Sequence, residues 1–180
     1  MKVLIDTCVM YPTVMRSVVL GVAATGAFTP LWSARILEEW ARAARKLGPG
    51  GEAQARAEIA LLRVQWPRAE VVWKPSLEAG LWLPDPNDVH VLAAAVSGSA
   101  DVILTLNASD FPRNVLADEG LSRADPDAFL LGHWQAHPER VATVCADVLA
   151  EAQRLSGKDW EMWALLKKAR LPRLAKAVSG

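Results

Sequence analysis

The sequence predicts an α/β fold with a central parallel sheet of four to five strands. Segments with the composition of strands alternate with helical segments along the chain, which is the order that builds a parallel sheet through right-handed crossovers. Two of the predicted strands, residues 2–6 and 100–107, are apolar runs of the kind found in strands covered on both faces. The 180 residues are 52% hydrophobic and 22% charged, as expected for one globular domain with a substantial core.

The first 73 residues contain three predicted strands and three predicted helices. The strands are "KVLID" at 2–6, "FTPLW" at 28–32 and "AEVVW" at 69–73, each rich in aliphatic, β-branched or aromatic residues. The first helix begins at Pro12 and ends at Gly26, because proline suits a first helical turn and glycine a helix end. Ser33 caps a second helix that ends at Gly48, and a third helix spans 52–65.

The remainder of the chain adds one clear strand and ends in helices. A loop at 74–86 leads to a helix that begins at Asn87 or Asp88, and "ADVILTLN" is the fourth strand. A loop with a short helix follows at 109–120, residues 121–124 form a weak fifth strand, and the chain is helical from Pro126 onward.

Composition excludes several classes of protein. No apolar run reaches the roughly 20 residues that cross a bilayer, and Asp6 interrupts the first apolar segment, so neither a membrane protein nor a signal peptide is expected and the predicted location is the cytoplasm. Cys8 and Cys145 lack the spacing of a disulfide framework or a zinc site.

The net charge of zero conceals three segments of opposite sign. Residues 1–69 carry +4, residues 70–127 carry −7 and residues 128–180 carry +3. A cation site flanked by surfaces that attract a polyanion has this pattern, and so do ordinary solvated faces.

Acidic and amide side chains fall at one edge of the predicted sheet. Asp6 ends strand one, and Asn107 and Asp110 follow strand four. Asp88 follows a loop from strand three, and Glu39 lies on the helix after strand two. Because ligands of open α/β sheets bind beyond the carboxyl ends of the strands, we expect these residues to converge there.

Clustered carboxylates repel one another unless a cation offsets their charge, and Mg²⁺ or Mn²⁺ prefers such oxygen ligands. A nuclease-like metal site is therefore one interpretation. Each acid also has an ordinary alternative: Asp6 and Asp88 as helix caps, Glu39 in an ion pair with Arg35 or Arg42, and Asp110 as the start of a turn.

Four motifs together resemble those of the PIN domain. They are Asp6 in "LIDTCV", Glu39 in "WSARILEEW", Asp88 in "DPNDVHVLAAAV", and the "TLN" with "DFP" that contains Asn107 and Asp110. The chain is most similar to the bacterial branch of VapC-like ribonuclease toxins. The resemblance covers about residues 1–130, which are expected to form the nuclease domain, with 131–180 as a C-terminal helical extension packed on the same domain.

The resemblance implies a three-layer α/β/α sandwich and a Mg²⁺- or Mn²⁺-dependent nuclease that hydrolyses RNA. It implies that Asp6, Glu39 and Asp88 hold the metal and act in catalysis. Asn107 stands at the fourth position, where many relatives have aspartate. An amide can ligate a metal through oxygen but brings no charge. Asp110 is therefore expected to contribute as a metal ligand and as a catalytic residue.

Further roles and partners follow from the same resemblance. Thr7 and Thr105 are expected to orient water or a carboxylate, and Arg16 to contact a phosphate or pair with a site acid. RNA is the expected substrate. An antitoxin protein that covers the acidic edge is the expected partner, and a second copy of the chain is a further candidate.

Three other interpretations compete with this one. A thiol nucleophile at Cys8 with His90 as base lacks an orienting third group, and a packed or capping His90 fits the sequence better. A haloacid dehalogenase type of phosphatase needs a second aspartate where this chain has Cys8. A catalytically weak RNA- or protein-binding module that keeps the fold is the main alternative, with Asn107 as the mark of a degraded site.

The C-terminal segment is unusual because its charges are all of one sign. After Trp160 and Trp163 the chain continues "ALLKKARLPRLAKAVSG" without an acid. Such a segment suits contact with RNA phosphates or a partner helix, and a frayed solvated tail is its ordinary alternative.

Overall fold

The structure is a computed structural model that describes all 180 residues. Its five strands are β1 (Lys2–Ile5), β2 (Thr29–Ser33), β3 (Glu70–Val71), β4 (Val102–Leu104) and β5 (Ser122–Ala124). They form one sheet in the order β3-β2-β1-β4-β5, and β1 pairs in parallel with β2 and β4, as β2 does with β3. The parallel sheet with intervening helices confirms the predicted α/β/α fold class.

Eleven α-helices accompany the sheet. They are α1 (Thr7–Met10), α2 (Thr13–Ala24), α3 (Ala34–Ala43), α4 (Gly51–Gln65), α5 (Pro75–Ala79), α6 (Val89–Ser97), α7 (Arg113–Asp118), α8 (Pro126–Ala136), α9 (Pro138–Ser156), α10 (Met162–Lys168) and α11 (Pro172–Ser179). Two short 3₁₀ helices lie at Ala44–Leu47 and Pro86–Asp88. None of the helices combines the length and hydrophobicity that a membrane-spanning helix needs.

The chain divides into two compact units by its internal contacts. The first unit, which we call the sheet unit, comprises Met1–Tyr11 and Thr29–Arg123. The second, which we call the helical unit, comprises Pro12–Phe28 and Ala124–Gly180. The boundary proposed from the sequence, between residues 130 and 131, stays a prediction.

Within the sheet unit, β1 is the central support. Val3 lies opposite Pro30 of β2 and Val102 of β4, and Val3, Leu4 and Ile5 are completely buried. Helix α6 packs on β1 and β2. At Gly98, the residue that follows it, an added methyl group would lie 2.9 Å from Leu31 Cδ1, so a side chain there would force a neighbour to shift. This close approach holds α6, which begins directly after Asp88, against the sheet.

The helical unit is built around α9, which packs against α2, α8, α10 and α11. The approach of α2 to α9 depends on Gly21, where a methyl group would lie 2.5 Å from Val144 Cγ1. A cavity of about 990 Å³ opens between these helices, with walls that are mainly apolar. None of the acids singled out in the sequence lines it.

The structure differs from the sequence predictions at several places, and β4 has three residues instead of the eight predicted at 100–107. Strand β1 ends at Ile5, because Asp6 already caps the short helix α1, which was not predicted. The predicted loop at 74–86 contains α5, which Pro75 begins. Strand β3 has only two residues instead of five, since pairing with β2 stops at Val71.

Candidate active site

Asp6 lies where β1 ends, and the residue is only 4% exposed. Its Oδ1 accepts a hydrogen bond from the Thr7 backbone N–H at 2.6 Å, and Oδ2 accepts one from Thr105 Oγ1 at 2.7 Å. Cys8 Sγ also donates to Oδ2 at 3.1 Å. One oxygen therefore caps α1, as the ordinary alternative expected, while the other joins β1 to the end of β4.

The segment after β4 is held to the same place by its own hydrogen bonds. The Asn107 backbone N–H donates to Thr105 Oγ1 at 3.0 Å, and the Leu106 N–H donates to Cys8 Sγ at 3.2 Å. The Asp110 N–H then donates to the Asn107 carbonyl at 3.1 Å, which closes a turn over residues 107–110, so Asp110 ends a turn and does not start one as the sequence suggested. Asn107 itself is exposed.

Glu39 projects from α3 and both of its carboxylate oxygens are engaged. Oε2 accepts from Thr7 Oγ1 at 2.8 Å, and Oε1 lies 2.9 Å from His90 Nε2. Arg35 Nε lies 3.4 Å from Oε1, so the ion pair that the sequence suggested is present. Arg42, the other candidate partner, pairs with Glu38 instead.

These contacts determine the ionisation of Glu39. Burial alone would raise its pKa, but hydrogen bonds from His90 and Thr7 together outweigh burial, and the pKa of Glu39 lies below its ordinary value. His90 is only 1% exposed, and its Nδ1 is buried without a hydrogen-bond partner. His90 is thus a packed residue, as the sequence favoured, and it also holds Glu39, a contact that the sequence did not reveal.

Asp88 ends the 3₁₀ helix Pro86–Asp88 and occupies the N-cap position of α6, but its side chain makes no capping hydrogen bond. The capping alternative for Asp88 is therefore wrong. Partial burial raises its pKa from 3.8 to about 6, and the negative charges of Asp6, Asp85 and Asp110 add to this effect. The negative charge of Asp88 is therefore unfavourable at this edge.

Cys8 does not have the properties of a nucleophile. Burial and the adjacent charge of Asp6 raise the pKa of its thiol to about 12. A catalytic cysteine needs a lowered pKa, because the thiolate is the reactive form. His90, its suggested base, has its Nε2 against Glu39 Oε1 instead, at 2.9 Å. The structure thus argues against a thiol mechanism.

The remaining predicted residues have separate places. Thr7 and Thr105 orient carboxylates, since each donates its hydroxyl to Glu39 or Asp6. Arg16 is buried on α2 and belongs to the helical unit.

The contact between Glu39 and His90 was not predicted, because 51 residues separate the two in the sequence. The only signal in the sequence was that each residue lies on a helix that follows the sheet edge.

The side chains offer the oxygen donors that Mg²⁺ and Mn²⁺ prefer, and the mutual repulsion at Asp88 is of the kind a cation relieves. Their arrangement is open, however. No three histidine, cysteine, aspartate or glutamate side chains form a group that could hold a metal ion. The chemistry of the donors therefore fits a hard cation, although the side chains are not gathered into a ligand set.

Comparison with known proteins identifies the family. The model of the PIN domain matches residues 2–109, a segment that contains Asp6, Glu39, Asp88 and Asn107 and ends one residue before Asp110. PIN domains are typically nucleases, act on nucleic acids and usually use divalent metals. Neither a curated protein nor a solved structure matches the chain significantly. Because the matched segment covers more than half of the chain and brings its carboxylates to the sheet edge characteristic of ligand binding, the chain belongs to the PIN domain family.

Proposed function

We propose that the protein is a Mg²⁺- or Mn²⁺-dependent endoribonuclease that hydrolyses RNA phosphodiester bonds. The observation that carries the proposal is the position of Asp88 near Asp6 at the carboxyl edge of the sheet, where partial burial, and then the charges of Asp6, Asp85 and Asp110, raise its pKa to about 6. Structural carboxylates usually have lowered pKa values from partners, whereas mutual repulsion is typical of a functional site.

In this proposal Asp6, Asp88, Asp110 and the Asn107 amide would hold the metal, and binding would draw them closer together. A bound Mg²⁺ or Mn²⁺ supplies an activated water and stabilises charge on a phosphoryl oxygen. Thr105 holds the Asp6 carboxylate in one orientation through its 2.7 Å hydrogen bond. A fixed first ligand lowers the cost of assembling the site.

Glu39 is assigned a different task from the one expected of it. Its oxygens already accept from His90 and Thr7, and the lowered pKa keeps its carboxylate ionised near neutral pH. A metal could reach Glu39 only by displacing one of these partners. We therefore propose that Glu39 supports the site without binding the metal directly. It adds negative charge near the site and holds the Thr7 hydroxyl in place.

The decisive experiment is an RNA cleavage assay with and without Mn²⁺ or Mg²⁺, with mapping of the product ends. Wild-type protein is expected to cleave only with metal, and both Asp6→Asn and Asp88→Asn are expected to abolish cleavage. Asp118→Asn is the matched control, since Asp118 is exposed on α7. Metal-dependent cleavage that persists in both site variants would refute the proposal.

We further propose that this nuclease is the toxin of a type II toxin-antitoxin system, with an antitoxin covering the acidic edge. Resemblance to the VapC-like branch supports this assignment. Expression in a bacterial host is expected to arrest growth, and Asp6→Asn is expected to remove the arrest. Co-expression of a protein encoded by an adjacent short reading frame should restore growth. Growth unaffected by the wild-type chain would argue for a solitary nuclease.

A catalytically weak binding module is the second candidate, and the exposed amide at position 107 favours it. Isothermal titration with Mn²⁺ separates the two. A nuclease should bind the metal with an affinity that Asp6→Asn abolishes and Asn107→Asp strengthens. A binding module should give no heat of binding in any of the three proteins.

A further inference from the structure

The last two helices carry a cluster of positive side chains. Residues 162–180 contain no aspartate or glutamate. Every lysine and arginine in this segment is exposed, although the helices bury Leu165, Leu166, Leu171 and Leu174. We call the cluster the basic C-terminal face; its members are Lys167, Lys168, Arg170, Arg173 and Lys176.

These charges lack the partners that most other arginines of the chain have. Six arginines form salt bridges with glutamates: Arg35, Arg42, Arg45, Arg56, Arg63 and Arg154. No salt bridge joins any member of the basic C-terminal face to a carboxylate. Four of these like charges lie on the two short helices and Arg170 lies between them. Without carboxylate partners they repel one another, and a bound polyanion would relieve that repulsion.

Aromatic rings are interleaved with the charges. Lys167 Nζ lies 4.3 Å from the ring centroid of Trp163, and Lys168 Nζ lies 5.0 Å from that of Trp160. Cation–π contacts of this kind hold flexible ammonium groups in place. Trp163 is nevertheless 47% exposed, so a large part of its indole surface remains open to a ligand.

The face is fixed and is not a frayed tail. The carboxylate of Asp127 on α8 accepts hydrogen bonds from the backbone N–H groups of Arg173 and Leu174, at 2.9 and 3.0 Å. These bonds cap the first turn of α11, while Leu174 and Ala175 are completely buried. The positions of Arg173 and Lys176, three residues apart on one side of the helix, are therefore set before any ligand arrives.

Arg170 gives an independent indication. It links α10 to α11 with a φ of +63°, a left-handed conformation that favours glycine. Folding alone would be served better by glycine at this position. An arginine nevertheless stands here and adds its positive charge to the basic C-terminal face.

We propose that the basic C-terminal face binds the sugar–phosphate backbone of single-stranded nucleic acid, with Trp163 stacking on an unpaired base. An acidic protein would satisfy the charges but would not need the exposed indole, whereas phosphate contacts combined with base stacking are the usual mode for single strands. That the strand is RNA rests on the proposed nuclease function; the binding of a single strand does not.

The test measures binding of a fluorescein-labelled oligouridylate by anisotropy over a range of KCl concentrations, in full-length Asp6→Asn protein so that the strand is not cut. Adding Arg173→Gln and Lys176→Gln should lower the slope of log K against log salt by about 1.4, since each phosphate contact on a single strand contributes about 0.7. Lys46→Gln with Arg68→Gln removes two exposed charges of the sheet unit and should leave the slope unchanged.

Two more variants separate binding from folding. Trp163→Ala should weaken oligouridylate binding by about 5- to 150-fold, the range for loss of one stacked base. Arg170→Gly should weaken binding while keeping or raising Tm. An unchanged salt slope in the double variant, or equal binding of a poly-glutamate peptide, would overturn the proposal. If the wild-type protein shows no metal-dependent cleavage, the nuclease function is refuted and this binding result stands.

Discussion

Thr105 donates a 2.7 Å hydrogen bond to Asp6 across 99 residues of sequence. The same hydroxyl oxygen accepts from the Asn107 N–H at 3.0 Å. One buried hydroxyl thus joins the ends of the two central strands and orients the carboxylate on which the site depends. If this hydroxyl were removed, the Asp6 carboxylate and the Asn107 N–H would each lose a hydrogen bond.

We expect Thr105→Val to impair both stability and activity. The substitution keeps the shape but removes a hydrogen bond to a charged group, which contributes about 1.5–3 kcal/mol to stability. Urea unfolding and RNA cleavage would measure the two effects. Thr105→Ser, which retains the hydroxyl, is the matched control and should keep most of the activity. Equal behaviour of valine and serine variants would show that the hydroxyl is not needed.

Asp88 should make the metal-free protein less stable as pH rises. Its pKa is about 6 in the folded state and 3.8 ordinarily, so the folded state binds the proton more tightly. This contribution to stability is complete below about pH 3.8 and is lost as pH rises through about 6. At pH 7.5 the ionised carboxylate therefore opposes folding.

Asp88→Asn tests this effect, because the amide removes the charge and keeps the shape. In EDTA at pH 7.5 the variant is expected to be more stable than wild type by about 1 kcal/mol, a value reduced for solvent screening of a partly exposed group. The difference should shrink as pH falls from 6 to 4.5 in urea unfolding. A difference independent of pH would contradict the assigned repulsion.

Neither cysteine should react readily with thiol reagents in the folded protein. Burial raises the pKa of Cys145 to about 11, and burial with the charge of Asp6 raises that of Cys8 to about 12. At pH 8 we expect little reaction with Ellman's reagent until urea unfolds the chain. Cys8→Ser should retain cleavage activity, since a hydroxyl can also donate to Asp6. Rapid labelling of the native protein, or loss of activity in Cys8→Ser, would revive the thiol mechanism.

Asp127 should be important for stability rather than for catalysis. Asp127→Ala removes the cap of α11 and should lower the free energy of unfolding by about 1–2 kcal/mol. Asp159→Ala, at an exposed aspartate in the same unit, should have no measurable effect in the same urea titration. If both variants unfold alike, the cap does not stabilise the helix.

The sequence predicted the fold well where local chemistry decides it. Buried strands such as β4 follow from an uninterrupted aliphatic run, and Ser33 caps α3 as expected, with its Oγ accepting from the Ile36 N–H at 3.2 Å. Helix α1 was not predicted, because Asp6 was assigned to strand β1, whereas it follows the strand and is the N-cap of α1. A residue that ends one element and begins the next gives no separate signal in the sequence.

The candidate site was predictable in its position but not in its connections. The ends of parallel strands share an edge, so Asp6 and Thr105 could be placed together from the strand assignments alone. The contact between Glu39 and His90 could not, since it depends on how α3 and α6 are rotated about their axes. That rotation is set by packing against the sheet, which residue spacing does not encode.

The position of β1 in the middle of the sheet has a consequence for biosynthesis. The strand that is made first cannot pair with β4 until β4 has been made, since Leu4 pairs with Ile103, near the end of the segment that matches the PIN domain. At about 5–20 residues per second, the interval between synthesis of the two strands is roughly 5–20 seconds. Throughout that time the nascent chain carries Asp6 without Thr105. If the protein is the nuclease proposed here, Asp6 gains this orienting hydrogen bond only after β4 and Thr105 have been made.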